Sequence, residues 1–141
     1  SWRIVKLVIV FYCVASVIFF CAFIFEKISE LTRDVGEILI KIGMVGVAGI
    51  ILFAIVFTSI FILFPDSFEG YVGDTISTQI ISFFYFSIIS FMSVGYGDIS
   101  PANNLARILV SIEVVFGFFT VIYGLSSLSY FRESFKNRKM L

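Results

Sequence analysis

Four uncharged stretches divide the chain, and each is long enough to cross a membrane as a helix. They cover residues 7–25, 42–64, 75–97 and 114–131. A helix of about 20 apolar residues covers the roughly 30 Å hydrocarbon core of a bilayer. Hydropathy alone therefore indicates four candidate spans.

The third stretch differs in kind from the other three. It is rich in Ser and Thr, and it ends in Gly95, Tyr96 and Gly97. Non-helical backbone is tolerated at membrane depth only where protein buries it or where it lines water. We therefore predict a re-entrant helix over 77–92 and a loop over 93–98, which leaves three true spans. The distribution of basic residues between the two sides also favours three spans.

The segment 26–41, between the first two spans, predicts an amphipathic helix. Its apolar residues recur at spacings of three and four, and charged residues occupy the other face. A helix of this kind suits the headgroup region of a membrane. It serves either as a cytoplasmic lever or as a simple connector.

Composition supports a membrane protein. The 141 residues are 60% hydrophobic and 14% charged, whereas soluble domains average roughly 45–50% apolar and about 25% charged residues. The net charge is zero, which gives no reason to expect a nucleic-acid partner. The sequence contains no His and no Cys, His or carboxylate cluster at metal-ligand spacing. We therefore expect neither an enzyme nor a bound cofactor.

One short segment carries the most specific signal. Residues 93–98 read Ser-Val-Gly-Tyr-Gly-Asp and resemble the selectivity filter of the potassium channel family, in which rings of backbone carbonyl groups replace the hydration shell of the ion. Successive carbonyl groups point the same way only if the backbone alternates in hand, and glycine adopts positive φ without a Cβ penalty. The resemblance implies potassium at the carbonyl groups of Ser93, Val94, Gly95 and Tyr96, with Gly97 completing the row.

The resemblance runs from about residue 42 to residue 132 and implies a fold. The fold is an all-α membrane protein with three transmembrane helices plus a re-entrant pore helix and filter loop, assembling as a four-fold homotetramer in the lipid bilayer. Within the pore domain the expected elements are an outer helix at 42–64, a pore helix at 77–92 capped by Ser77, the filter at 93–98 and an inner helix at 105–131. Around it lie an accessory N-terminal span at 1–25, the linker helix at 26–41 and a basic cytoplasmic tail at 133–141.

Four further residues are predicted to support the filter: Asp98, Tyr85, Phe86 and Glu113. Tyr85 and Phe86 match positions where the family often has an aromatic cuff, and ordinary aromatic packing is the alternative. The sequence departs from the family pattern at Ser93, where Thr is usual, and at Ile89, where many relatives have an acid that pairs with Asp98. We therefore predict the Tyr85 hydroxyl as the partner of Asp98.

The inner helix carries the candidate gating residues. Gly117 matches the hinge glycine of the family, and Gly124 is a second position for bending or close packing. Glu113 is the one acid at membrane depth, and it faces either the pore helix behind the filter or the cavity. Residues about one turn apart are predicted to line the cavity or gate: Phe118, Ile122 and Leu125.

The leading interpretation is a passive potassium channel of the plasma membrane with a cytoplasmic C-terminus. An acidic extracellular mouth would concentrate cations, and its acids are Asp66, Glu69, Asp74 and Asp98; for each acid the alternative is a simple solvated loop position. The alternatives are a weakly selective cation channel, a potassium transporter, and a non-conducting sensor or scaffold subunit. The first span carries only Arg3 and Lys6, too few basic residues for voltage sensing. The basic tail either leads to a cytoplasmic regulatory domain or binds anionic lipid.

Overall fold

The computed structural model describes residues 2–29 and 35–138, and these are mostly helical. The long helices are α1 (Trp2–Ser29), α2 (Val35–Leu63), α3 (Ile76–Phe91) and α4 (Asn104–Arg138). A 3-10 turn, Pro65–Ser67, follows α2, and a two-stranded antiparallel ribbon pairs β1 (Phe68–Glu69) with β2 (Ser100–Pro101). The ribbon therefore closes a loop that contains α3 and the segment 92–99.

Two helices in the described part of the chain are long and apolar enough to cross a membrane. The candidate spans are Glu37–Leu63 in α2 and Asn104–Ser129 in α4. The shorter apolar helix α3 lies between them in sequence and packs against both. This arrangement agrees with a largely helical membrane protein in which α3 does not span.

The predicted linker helix at 26–41 is not a separate helix. Residues up to Ser29 continue α1, and α2 already begins at Val35; residues 30–34 lie outside the described part of the chain. The apolar spacing suits the ends of two long helices as well as one short helix, because both have the same period.

The inner helix also differs from its predicted end at residue 131. It continues to Arg138, so most of the predicted tail at 133–141 belongs to α4, while residues 139–141 lie outside the described part. Neither Gly nor Pro follows Gly124, so no residue type that breaks a helix interrupts this segment.

Aromatic side chains join α3 to α2. Phe57 of α2, Phe83 and Phe86 of α3, and Phe68 of β1 are all buried, and their rings meet edge to face. The centroid distances are 5.5 Å for Phe57–Phe86 and 4.9 Å for Phe68–Phe83. Such pairs contribute about 0.5–1.5 kcal/mol each beyond area burial, so this cluster holds α3 firmly against the outer helix.

Helix α1 runs antiparallel to α2. The Lys6 ammonium donates a hydrogen bond of 2.8 Å to the carbonyl oxygen of Leu63, at the C-terminal end of α2, and lies 5.1 Å from the ring centroid of Phe64. Further along α1, Val17 is buried in the core and the Phe20 ring lies 6.4 Å from that of Phe116 in α4. The first helix therefore contacts the C-terminal end of α2 through Lys6 and α4 through Phe20.

Candidate functional site

The N-terminus of α3 is stabilised by a capping box. Thr75 is the N-cap: its hydroxyl oxygen accepts from the Thr78 backbone N–H at 3.3 Å, and the Thr78 hydroxyl accepts from the Thr75 N–H at 3.1 Å. The predicted cap, Ser77, lies inside the helix instead. Thr75 is preferred because Thr78 stands three residues later and returns the hydrogen bond.

The C-terminus of α3 leads directly into the segment 93–98. The Val94 N–H donates to the Ile89 carbonyl oxygen at 2.8 Å, and the Ser93 N–H donates to the Ser90 carbonyl oxygen at 2.9 Å. Ser93 has φ +56, so the helix ends on a left-handed residue with the hydrogen bonds of a Schellman motif. The first residue of the segment is therefore fixed by the end of the helix.

Along the backbone of 93–97, residues with positive φ alternate with residues without it. Ser93, Gly95 and Gly97 have φ of +56, +60 and +80, whereas Val94 and Tyr96 do not have positive φ. This is the alternation that lets successive carbonyl groups point to one side, and it includes Ser93 as well as the two glycines that sequence reasoning identified. A non-glycine residue at positive φ is uncommon, and it indicates that the surrounding structure holds the backbone in this conformation.

Among the residues that the structure describes, none covers this segment. All six residues from 93 to 98 are exposed, and Val94 and Tyr96 expose 50% and 69% of their surface. A Cβ atom added at Gly95 or Gly97 would meet no atom of the chain within 4 Å. One face of the segment and its apolar side chains are thus open for contacts outside the chain.

The outer end of the segment is joined to the residues before α3, and we call residues 67–70 together with 98–103 the outer ribbon. Phe68 pairs with Pro101, and Glu69 with Ser100. The carbonyl oxygen of buried Ser67 accepts from the Ala102 N–H at 2.8 Å, and its hydroxyl oxygen accepts from the Asn103 side-chain amide at 2.8 Å. The other end of the Asn103 side chain caps α4 by accepting from the Ala106 N–H at 2.9 Å.

Tyr85 and Asp98 interact, as the sequence suggests. Loss of hydration, followed by the hydrogen bond to Asp98 and the charge of that carboxylate, raises the pKa of Tyr85 above its ordinary value. The phenol therefore stays a neutral hydrogen-bond donor. Ile89 is buried in the core, and Phe86 also packs there, among Phe57, Phe68 and Phe83. Phe86 therefore makes ordinary aromatic packing contacts toward α2.

Glu113 faces α3, which is the first of the two orientations open from the sequence. It is completely buried, and its Oε1 is hydrogen-bonded to the hydroxyl of Ser87 in α3. The Ser87 hydroxyl also lies 2.9 Å from the carbonyl oxygen of Ile50 in α2. Glu113 Oε2 has no hydrogen-bond partner among the described residues. One polar contact point thus joins the three helices behind the segment 93–98.

Gly117 packs directly against the end of α3. A Cβ atom on Gly117 would overlap the carbonyl oxygen of Phe91 and lie 3.2 Å from its Cα. The preceding residue, Phe116, stacks edge to face on Phe91 at 5.9 Å and fits over Gly49, where an added Cβ would lie 2.8 Å from the Phe116 ring. Two glycines therefore permit close packing of α4 on α3 and α2.

The remaining gating candidates lie on more open surfaces. Phe118, Ile122 and Leu125 are exposed within one chain. Gly124 and Leu125 line an open, mostly apolar groove of about 380 Å³ between α4 and α2. These residues are available to face a cavity or a neighbouring molecule.

The predicted mouth residues lie on the surface around the outer ribbon. All four acids and Arg107 are exposed. In the described ranges 2–29 and 35–138, no three His, Cys, Asp or Glu side chains come together in a way that could hold a metal ion. Sequence reasoning missed Ser67, Gly70, Ser87 and Asn103; only Asn103 had a local signal, as an N-cap residue type just before a helix.

Comparison with known proteins gives one family and several local relatives. A family described as "Ion channel" matches residues 49–132, which is more than half of the chain. Potassium channel K2 of Plasmodium berghei is 49% identical over 43 residues, covering 30% of this chain and 3% of that protein. Two-pore potassium channel 4 of Arabidopsis thaliana is 41% identical over 54 residues, covering 38% of this chain and 18% of that protein. The chain thus spans less than a fifth of these relatives. No solved structure matches it significantly.

Proposed function

The chain belongs to the ion channel family, and we propose that it is one subunit of a homotetrameric pore that selects potassium and conducts it passively. The observation that carries this proposal is the alternating backbone of 93–97 at the end of a short, non-spanning helix. No chemical step is needed, because selection follows from how well backbone oxygen atoms replace the water around the ion.

Potassium specificity rests on the carbonyl row. Four copies of 93–97 around one axis supply stacked rings of carbonyl oxygens, with ions between Ser93 and Tyr96. The names of the relatives, potassium channel K2 and two-pore potassium channel 4, support the same ion. A weakly selective cation channel is the second candidate, and Gly95 and Gly97 at positive φ argue against it because they complete the alternation along the row.

A tetramer explains the exposure of apolar groups around the filter. Val94 and Tyr96 are open to contacts outside the chain, and so are Phe118 and Ile122 on α4. In a four-fold assembly the filter side chains pack behind the carbonyl row, and the exposed face of α4 lines the cavity or meets its neighbour. We also propose that α1 is a third span beside the pore, since it pairs antiparallel with α2.

The proposed orientation places the outer ribbon outside the cell and the end of α4 in the cytoplasm. The basic residues of the C-terminal segment then meet anionic lipid headgroups or lead to a regulatory domain. The exposed acids around the outer ribbon face the extracellular solution, where they raise the local cation concentration at low salt.

The experiment is a flux assay on the full chain reconstituted in liposomes. Vesicles loaded with potassium are expected to release it at a rate that Gly97→Ala abolishes, because Gly97 has φ +80. Gly43→Ala is the matched control, since an added Cβ there meets nothing within 4 Å. Equal release of sodium and potassium favours the weakly selective channel, and no release of either contradicts a conducting pore.

A further inference from the structure

The outer ribbon connects the exit of the filter to the start of the pore loop within one subunit. Its hydrogen bonds join Ser67 to Ala102 and to Asn103, just beyond Asp98 in sequence. Ser67 is fully buried. These contacts do not depend on neighbouring subunits, so each subunit carries its own restraint on the end of its filter.

Gly70 makes the closest approach between the two sides of the ribbon. It has φ +108, a conformation that favours glycine, and an added Cβ would overlap the carbonyl oxygen of Asp98 and lie 3.2 Å from the Cα of Ile99. The Gly70 backbone therefore lies directly against the backbone that follows the last filter carbonyl. Any movement of the Asp98 backbone toward residues 67–70 meets Gly70.

In the described part of the subunit, the filter exit has little other support. Asp98 is exposed, and buried Ile89 on the pore helix has no group that could bind its carboxylate. The Tyr85 hydroxyl is its side-chain partner, but it leaves the backbone after Gly97 without restraint. The restraint on that backbone comes from the ribbon.

We infer that Ser67, Gly70 and Asn103 are positioning residues that hold the exit of the filter in its conducting conformation. This inference rests on the proposed potassium pore and adds to it the part of the subunit that keeps the carbonyl row from collapsing. A ring of carbonyl oxygens without an ion is held together against mutual repulsion only by its surroundings. Bound potassium stabilises the conducting form by mass action, so a weaker ribbon raises the potassium concentration needed to keep the pore open.

The test measures current through the full-length chain in planar bilayers while extracellular potassium is lowered. Ser67→Ala removes the oxygen that Asn103 binds and leaves the cap of α4 intact. The half-protecting concentration is the extracellular potassium concentration at which half of the current is retained. Loss of this buried hydrogen bond is expected to raise that concentration about five-fold, the factor that corresponds to a free-energy change of about 1 kcal/mol. Gly70→Ala is expected to raise it further.

Matched controls separate this effect from general instability. Ser59→Ala removes a hydroxyl bonded only to Ile55 within α2, and Gly43→Ala adds a methyl group in open space. Both variants are expected to have the same half-protecting potassium concentration as the wild-type protein. If Ser67→Ala matches Ser59→Ala, the ribbon does not position the filter and the inference is overturned.

A reversible cross-link between the two strands of the outer ribbon should change the half-protecting concentration in the opposite direction. Because it strengthens the ribbon, its effect cannot come from a weakened fold. Glu69 and Ser100 are directly paired, and paired residues on antiparallel strands have Cα atoms about 4.5–5.5 Å apart, within disulfide range. Oxidising the double variant Glu69→Cys/Ser100→Cys is expected to lower the half-protecting concentration, and reduction to restore it. No change on oxidation, once the disulfide is verified, contradicts the inference. The pore proposal fails separately, if the unchanged protein shows no potassium-selective current.

Discussion

Gly117 of the inner helix lies directly against the backbone carbonyl of Phe91, the last residue of the pore helix. A glycine at this point is commonly interpreted as a flexible hinge, and the sequence alone favours that interpretation. The structure adds a steric reason, because no side chain fits between the two backbones. We therefore expect movement of α4 at this position to be transmitted to the C-terminal end of α3.

Gly117→Ala is expected to destabilise the protein by about 1–3 kcal/mol, the usual effect of adding a methyl group where backbone cannot move away. Gly124→Ala is the control, since its nearest neighbour would be Ile42 Cγ2 at 3.8 Å, an ordinary contact. Thermal unfolding in detergent measures both. A Gly117→Ala protein of normal stability that fails only to open would instead indicate a hinge.

The contact between Glu113 and Ser87 predicts an uncharged carboxyl group. Ser87 has one hydroxyl hydrogen and two oxygen neighbours, Ile50 O and Glu113 Oε1. Both contacts are satisfied if Glu113 donates to Ser87 and Ser87 donates to Ile50. Glu113→Gln keeps the shape and an N–H donor, so we expect nearly unchanged thermal stability.

Ser87→Ala should be far more damaging, because it leaves the buried carboxyl group with no partner. The expected loss is about 1–3 kcal/mol. Ser111→Ala, which removes an exposed hydroxyl bonded to Arg107 on α4, is the control. A charged Glu113 is indicated if Glu113→Gln alone causes a loss as large as Ser87→Ala does.

The pairing of Tyr85 with Asp98 predicts a defect in filter stability. Tyr85→Phe is expected to speed the decline of current in low extracellular potassium, because it removes the hydroxyl that hydrogen-bonds the Asp98 carboxylate. Selectivity should remain. Tyr71→Phe, which removes an exposed hydroxyl 3.4 Å from Asp74, is the matched change. Identical time courses for both variants would show that the pairing does not support the filter.

Lys6 is expected to anchor α1 to the outer helix. It binds a free carbonyl group at the end of α2 and lies over the Phe64 ring, so Lys6→Met should lower stability by about 1 kcal/mol. Arg3→Met, at an exposed position on the same helix, serves as the control. Equal melting temperatures of the two variants would mean that the anchor has no energetic role.

Part of the alternating backbone of 93–97 could be predicted from sequence because its information is local. Gly95 and Gly97 favour positive φ by residue type, whereas positive φ at Ser93 goes with the hydrogen bonds at the end of α3. Ser67 and Asn103 could not be paired in the same way, since they lie 36 residues apart and the fold alone brings them together. The close approach of Gly117 to Phe91 also depends on tertiary packing, so the local sequence does not predict it.

Helix boundaries were harder to predict where one pattern of apolar residues fits either a single short helix or the ends of two long helices. The segment 26–41 has the spacing of an amphipathic helix, yet the structure assigns its two ends to α1 and α2. Thr75 was missed as the cap of the pore helix because Ser77 is an equally good residue type. The reciprocal bond from Thr78 decides between them, and Gly73 lies so close to the Thr78 hydroxyl that an added Cβ would overlap it.

The most direct test of the central claim is the reversal potential of the reconstituted chain under a tenfold potassium gradient, with sodium balancing the ionic strength. A pore that selects potassium through the carbonyl row of 93–97 should reverse close to the potassium equilibrium potential, about 59 mV from zero for a monovalent ion. Gly43→Ala should reverse at the same voltage. A reversal potential near zero, with current carried equally by sodium, would contradict the claim.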